Sequence, residues 1–281
     1  MAAIDYNIRS VLNQMCPNAM LEGVMALAGG PTATAIFRMQ HVSNMVSNPD
    51  VRIGQGVMIQ DEIMRIEAFT DTSLILARGC ADTIPQAHTD GAMIWFFDGW
   101  MGTDNQEYIS GETIGVKALP TTVGGTSVPV DGVPPTQLIF NSRQVRPYAP
   151  GNMKANGDIW TTSHDITLAA PTLTLTWAHR DRKTQHDILV AHHEAGTGLE
   201  AGSSYTIRAL STTGTERAAY TGVTDETWAY TLAQAQTDYG ITPGTGPAFV
   251  EGIIELKTVR DGFDSWSIYR IPFRVSNEVT P

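Results

Sequence analysis

Side chains two apart share one face of a strand, and several short runs of this chain sort themselves that way. In TLTLTWAH (172–179), Leu173, Leu175 and Trp177 fall on one side and the threonines on the other. SYTIRAL (204–210) alternates through Tyr205, Ile207 and Ala209. GIIELKTV (252–259) sets Ile254, Leu256 and Thr258 against Ile253, Glu255 and Lys257. SWSIYRIPFRV (265–275) sets Ser267, Tyr269 and Ile271 against Trp266, Ile268 and Arg270, and Pro272 then predicts an edge or a bulge. Helical spacing is rare. DYNIRSVLNQM (5–15) places Ile8, Val11, Leu12 and Met15 on one stripe that Pro17 ends, and TLAQAQTDYG (231–240) predicts a short helix closed by Gly240. The pattern is that of an all-β protein.

Turn residues divide the runs. LPTTVGGTSVPVDGVPP (119–135) holds four prolines, Gly124, Gly125 and Gly132, with few large side chains. It predicts a boundary between an N-terminal β-barrel-like domain, 1–132, and a second β domain, 133–281. The second half has the length, the turn spacing and an early buried-tryptophan candidate, Trp177, of an immunoglobulin or fibronectin type III-like β-sandwich. Its last hairpin runs through Asp261-Gly262, a pair that tolerates the positive φ of a tight turn.

Composition narrows the function. The chain of 281 residues is 42 % apolar and 17 % charged, enough to build a core. Its net charge of −11 argues against a phosphate-binding surface, and Asp181 interrupts the basic stretch Arg180, Arg182, Lys183, so no nucleic acid is expected. The acidity lies mainly in the first half, where 6 Lys+Arg face 14 Asp+Glu up to residue 133. Two cysteines, Cys16 and Cys80, predict reduced thiols rather than a disulfide scaffold. The N-terminus carries Asp5 and Arg9 where a signal peptide needs an apolar run, and no stretch is long and apolar enough for a membrane span.

Reactive side chains crowd ARGCADTIPQAHTDGAMIWFF (77–97). Cys80 and His88 would make a nucleophile and base if they met with a lowered thiol pKa. They are separated by Pro85, no helix N-terminus adjoins the cysteine, and the simpler expectation is a strand, TSLILARG, looping into a second strand, AMIWFF. Cys80 would then pack as a small apolar group while Asp82 and Thr83 bond the loop backbone. AHHEAG (191–196) offers His192, His193 and Glu194, without the i, i+4 spacing of a helical zinc site, and is expected to be an exposed polar loop. His179 and His186 add no fixed ligand set. The adjacent carboxylates Asp61-Glu62 and Asp225-Glu226 lack glycosidase geometry, and no phosphate or dinucleotide fingerprint occurs. No enzymatic activity and no cofactor or metal is expected. Trp95, Phe96, Phe97 and Trp100 lie together and suggest a subunit contact or, with Trp228, a sugar-stacking platform.

DEIMRIEAFTDTSLILARGCADTIPQAHTDGAMIWFF (61–97) resembles a segment of tailed-bacteriophage tail-tip and baseplate hub proteins, with Glu62, Arg78, Gly79, Asp82, Thr83, Pro85, His88 and Gly91 at the matching positions. RPYAPGNMKANG (146–157) and LTLTWAHRDRKTQ (173–185) resemble the start of the fibronectin-like part of the same siphophage and gene-transfer-agent-like proteins, through Arg146, Pro147, Pro150, Gly151, Trp177, His179, Arg180, Asp181 and Arg182. VRDGFDSW (259–266) is similar to its last hairpin. The resemblance implies a structural virion component at the tail tip or baseplate, assembled in the host cytoplasm. Its partners would be hub, distal tail and fibre proteins and copies of itself, a trimer being the expected oligomer. The alternative it leaves is a receptor- or glycan-binding tail module facing a host cell-surface receptor. Interface or loop-ordering roles are expected for Arg78, Asp82, His88, Trp95, Trp100, Arg180, Asp181 and Arg182. Related hubs carry this stretch at the C-terminal end of a much longer chain, whereas Met1 stands shortly before it here. That leads to the expectation of a split hub fragment or a smaller accessory tip protein.

Overall fold

The computed structural model describes residues 18–27, 32–39, 51–98, 107–117, 119, 126, 128–185 and 189–279. The predicted helix 5–15, Cys16, Trp100 and His186 lie outside the described residues.

Six strands close a barrel: β1 (Asn18–Leu21), β2 (Thr32–Met39), β3 (Gly56–Ile59), β4 (Glu62–Phe69), β5 (Ser73–Ala77) and β6 (Met93–Trp95), in the order β1-β2-β5-β4-β3-β6. Every neighbouring pair is antiparallel. Closure removes the free edges that a six-stranded sheet would otherwise expose. Alternate residues fill the interior: Ala19 and Leu21, Ala35 and Phe37, Val57 and Ile59, Met64 and Ile66, Leu74 and Leu76, with Ile94. As expected, the strand formed by SLILA loops into the one formed by MIW.

A hairpin of β7 (Thr113–Val116) and β8 (Thr136–Ile139) follows as a two-stranded sheet of its own, with Tyr108 stacked on Phe140 at 4.3 Å. The expected division at residue 132 falls inside the segment joining its two strands.

The remainder is a two-layer sandwich. One sheet has the order β14-β11-β9, from β9 (Gly151–Ala155), β11 (Thr172–Ala178) and β14 (Thr227–Thr231). The other runs β10-β17-β15-β12-β13, from β10 (His164–Ile166), β12 (Ser203–Ser211), β13 (Glu216–Val223), β15 (Phe249–Arg260) and β17 (Tyr269–Ser276). A three-strand layer facing a four-strand layer, with successive strands distributed between them, is the fibronectin type III-like arrangement, to which β10 adds a parallel strand beside β17. Leu173, Leu175 and Trp177 from one layer meet Tyr205, Ile207, Ala209, Ile254, Leu256, Tyr269, Ile271 and Phe273 from the other. The predicted turn is present: Asp261 (φ 49°) and Gly262 (φ 79°) connect β15 to β16 (Phe263–Asp264). So is the predicted helix, α1 (Leu232–Tyr239), where the Thr231 hydroxyl accepts the Gln234 N–H and Gly240 ends the helix at φ 62°.

One predicted strand is shorter than its alternation suggests. Ser265 still bonds β15, its N–H donating to the Thr258 carbonyl at 2.8 Å, but its hydroxyl then donates to the Ser267 carbonyl in a bend, so the next strand starts only at Tyr269. Pro272 sits opposite Ile253, one residue ahead of the Phe273–Val275 stretch that β10 pairs, so its missing N–H interrupts no ladder with β10.

Candidate functional site

The period-2 pattern of β4 carries one charge inward. Glu62 shares the face of Met64 and Ile66 and is 0 % exposed at the mouth of the barrel. Arg78, one residue past β5, follows Leu74 and Leu76 to the same place. The two make a bidentate pair, with Nε and Nη2 of Arg78 each 2.7 Å from a Glu62 oxygen. Glu62 also accepts the N–H groups of Gly79 (2.9 Å) and Gln86 (2.9 Å) and Nε2–H of His88 (2.9 Å). Gln60 lies 2.8 Å from Nδ1 of His88, and Arg78 donates to the Gln86 carbonyl. A buried carboxylate needs such a complement of donors to stay ionised. Burial alone would raise the Glu62 pKa, but the bonds from Arg78 and His88, the Arg78 charge and the Gln86 N–H hold it below its ordinary 4.5.

Cys80 and His88 do not form a catalytic pair. His88 is spent on Gln60 and Glu62, while Cys80 is buried with Ala77 and Ala191 against Ile63 and Leu189. Burial pushes its thiol up to about 12, despite the nearby cations Arg180 and Arg65, so it packs as an apolar group. Thr83 bonds the loop backbone as expected, donating to the Cys80 carbonyl at 2.7 Å and accepting the Ile63 N–H. Asp82 departs from the expectation. It reaches across 61 residues to a bidentate pair with Arg143, at 2.5 and 2.8 Å, because the loop turns its carboxylate toward the chain that enters the sandwich.

The sandwich docks on this mouth through the segment 189–195. The His192 N–H donates to the Arg78 carbonyl at 2.9 Å, and Arg65, on the outward face of β4, holds both oxygens of Glu194 and the Leu189 carbonyl. Arg180 is 3 % exposed. It donates to the carbonyls of Gly79 (3.2 Å) and Val190 (2.9 Å) and lies over the Tyr148 ring. Arg182 pairs with Glu200 at 3.0 Å and donates to the Gln144 carbonyl, while Asp181 accepts the Lys183 N–H and so shapes the turn between them.

AHHEAG is therefore not a uniformly exposed loop. It forms a short 3₁₀ turn in which His192 is tucked in, its Nε2 accepting the Met153 N–H at 3.1 Å, beside the rings of Trp160 and Tyr269. Burial first, and then the charge of Arg180, push His192 down to about 3. The bond to Arg65 holds Glu194 down at about 2. Among the described residues no group of three His, Cys, Asp or Glu side chains is arranged to hold a metal ion, and no helix is long and apolar enough to cross a membrane.

Of the singled-out residues, Arg78, Asp82, His88, Arg180, Asp181 and Arg182 all border this junction. Trp95 stands apart on the outside of the barrel, 37 % exposed, and Trp228 packs between Tyr220 and Tyr230 with ring centroids 5.1 Å from each. Arg65, Arg143 and Glu200 were not singled out. Nothing in their local pattern distinguishes them from surface charges, since their partners lie on distant segments. No family model matches the chain, and no curated protein matches it.

Proposed function

We propose that the chain is a structural subunit of the tail tip or baseplate of a long-tailed bacteriophage, working through contacts with hub and tail proteins and with copies of itself rather than through catalysis. What supports this above all is the meeting of the resemblance's separate motifs at one place. Glu62, Arg78, Gly79 and His88 close the barrel mouth, and Arg180, over a hundred positions beyond Arg78, fastens the sandwich to it through the Gly79 carbonyl, while Arg182 braces the adjoining chain through Glu200. Motif residues spent on internal bonds suit a part whose task is to hold two β modules in one orientation under load. The reactive groups point the same way: Cys80 is held as the thiol, His192 as the neutral imidazole, and Glu62 is ringed by donors.

The test is location. In purified particles of the phage that encodes the chain, mass spectrometry should find it among the virion proteins, and labelling of an epitope added at its C-terminus should mark the tail tip. Particles lacking the chain, or label confined to the head, would overturn the reading.

A further inference from the structure

One end of the sandwich core is polar. Glu200 is 2 % exposed, and Ser203 and Thr258 are 8 % and 2 % exposed. The Ser203 N–H donates to the Glu200 carbonyl at 2.9 Å, which turns the acid back over the first residue of β12. Strand register places the others. Ser203 lies opposite Arg260, and Tyr205 lies opposite Thr258 on β15. Tyr205 belongs to the core, so Ser203, two positions away, and Thr258, directly opposite, also face inward. Arg260 continues that side to the end of β15, where its Nη1 comes within 3.4 Å of a Glu200 oxygen and its Nε donates to the Ala201 carbonyl. Arg182 approaches from the segment after β11, its Nε 3.0 Å from the same oxygen but not aligned for a hydrogen bond. Among the described residues, both oxygens of Glu200, the hydroxyls of Ser203 and Thr258 and the Nε–H of Arg182 are buried without a hydrogen-bond partner. A single such group is uncommon, and a group of them in one place calls for a shared occupant.

We infer that this end of the sandwich is a built hydration site, in which about two water molecules bridge Glu200 to Ser203, Thr258 and Arg182. The demands of the site select water. It needs donors for the Glu200 carboxylate and an acceptor for Arg182, while the two hydroxyls serve in either role. A metal ion brings no donor and would stand beside two arginines. An anion brings no donor either and would face the carboxylate. Water both donates and accepts, with about three bonds to each molecule, so about two molecules meet the demand. Ser203 and Thr258 are diagonal cross-strand neighbours, about 7–8 Å apart in backbone spacing, a gap that suits a bridging water better than a direct bond. The site also has a mechanical consequence. Arg182 donates to the Gln144 carbonyl and stands two residues from Arg180, so the bridged carboxylate fixes the turn that presents Arg180 to the barrel. The inference is independent of where the protein acts.

Magnetic relaxation dispersion of the solvent, which counts long-lived internal waters in solution, tests the site in the full-length chain. Glu200→Gln keeps a carbonyl acceptor and should keep the dispersion amplitude of the unmodified chain. Glu200→Met, similar in length and apolar, should lower that amplitude by about two waters. An unchanged amplitude in a folded Glu200→Met chain would overturn the inference. Where that variant does not fold, a crystal structure of the unmodified chain decides. Ordered solvent within hydrogen-bond distance of Glu200, Ser203 and Thr258 is the expected result. A dry contact of Glu200 with both arginines, or a metal ion identified there by anomalous scattering, would overturn it.

Discussion

At the scale of single residues, the junction is a set of ionisable groups held away from their ordinary behaviour by partners that are remote in sequence. Removing either member of the Glu62–Arg78 pair would leave the other buried and uncompensated, a loss of about 3–5 kcal/mol for pairs of this kind. The pH dependence follows from the directions of the shifts. Glu62 is depressed in the folded protein, so its contribution is complete above about 4.5 and is lost as pH falls through its lower folded value. His192 is also depressed, from 6.5 to about 3, and the unfolded chain therefore takes up a proton that the folded one refuses. Stability should decline from pH 6.5 downward, at no more than about 1.4 kcal/mol per pH unit for this one group. His192→Gln keeps an acceptor for the Met153 N–H and removes the titration. Urea unfolding between pH 6.5 and 4.5 should give a flatter stability profile for the variant than for the parent, and parallel profiles would contradict the burial of a neutral imidazole.

Among the elements, those whose sequence period agrees with their burial were readable in advance. β11, β12 and β15 each bury the side that alternation picks out, and Glu255 adds a buried carboxylate held by Arg208 and Arg270 on the other side of β15. The helix α1 shows a local signal acting almost alone. Thr231 is exposed, so the stability it adds comes from its hydroxyl accepting the Gln234 N–H at the helix start. Thr231→Ala should therefore cost about 1 kcal/mol in urea unfolding, and Thr231→Asn, which can cap equally well, should cost little. Elements that local pattern does not announce are the ones defined by neighbours. β10 is three residues long, too short for a period to register, and exists as a strand because β17 pairs with it. The alternation of 265–268 is genuine as sequence, yet the chain bends after Ser265 bonds Thr258 on β15, so residues 266–268 stay outside the strands.

For the whole molecule, barrel and sandwich meet at a seat made of the small apolar cluster of Cys80, Ala77 and Ala191, the bonds around it, and Leu27 and Ile84, which pack against the sandwich core. Gly151, at the start of β9, faces it so closely that an added Cβ would collide with Ala195 and with the His192 carbonyl at 2.7 Å. Gly151→Val should push the 192–195 turn off the barrel mouth while leaving both cores filled. A single cooperative unfolding transition in the parent should become two in the variant, seen by calorimetry. A variant that melts as one unit at a uniformly lower temperature would mean that the two cores communicate elsewhere.

What the amino-acid order determined by itself is local and periodic: an all-β chain, which face of each long strand is apolar, the Asp261-Gly262 turn, the start and end of α1. Those features depend on neighbours within a few positions, so their physics is written in consecutive letters. The resemblance marked Arg78, His88 and Arg180 without saying what they touch. Only the tertiary structure decided that Arg78 and His88 converge on Glu62, that Asp82 takes Arg143, and that His192 is half-buried, its ring nitrogen bonded to the Met153 N–H. The reason is that charge pairing and desolvation depend on distance in space, and barrel closure and sandwich docking bring together groups that lie from sixteen to more than a hundred residues apart in the chain.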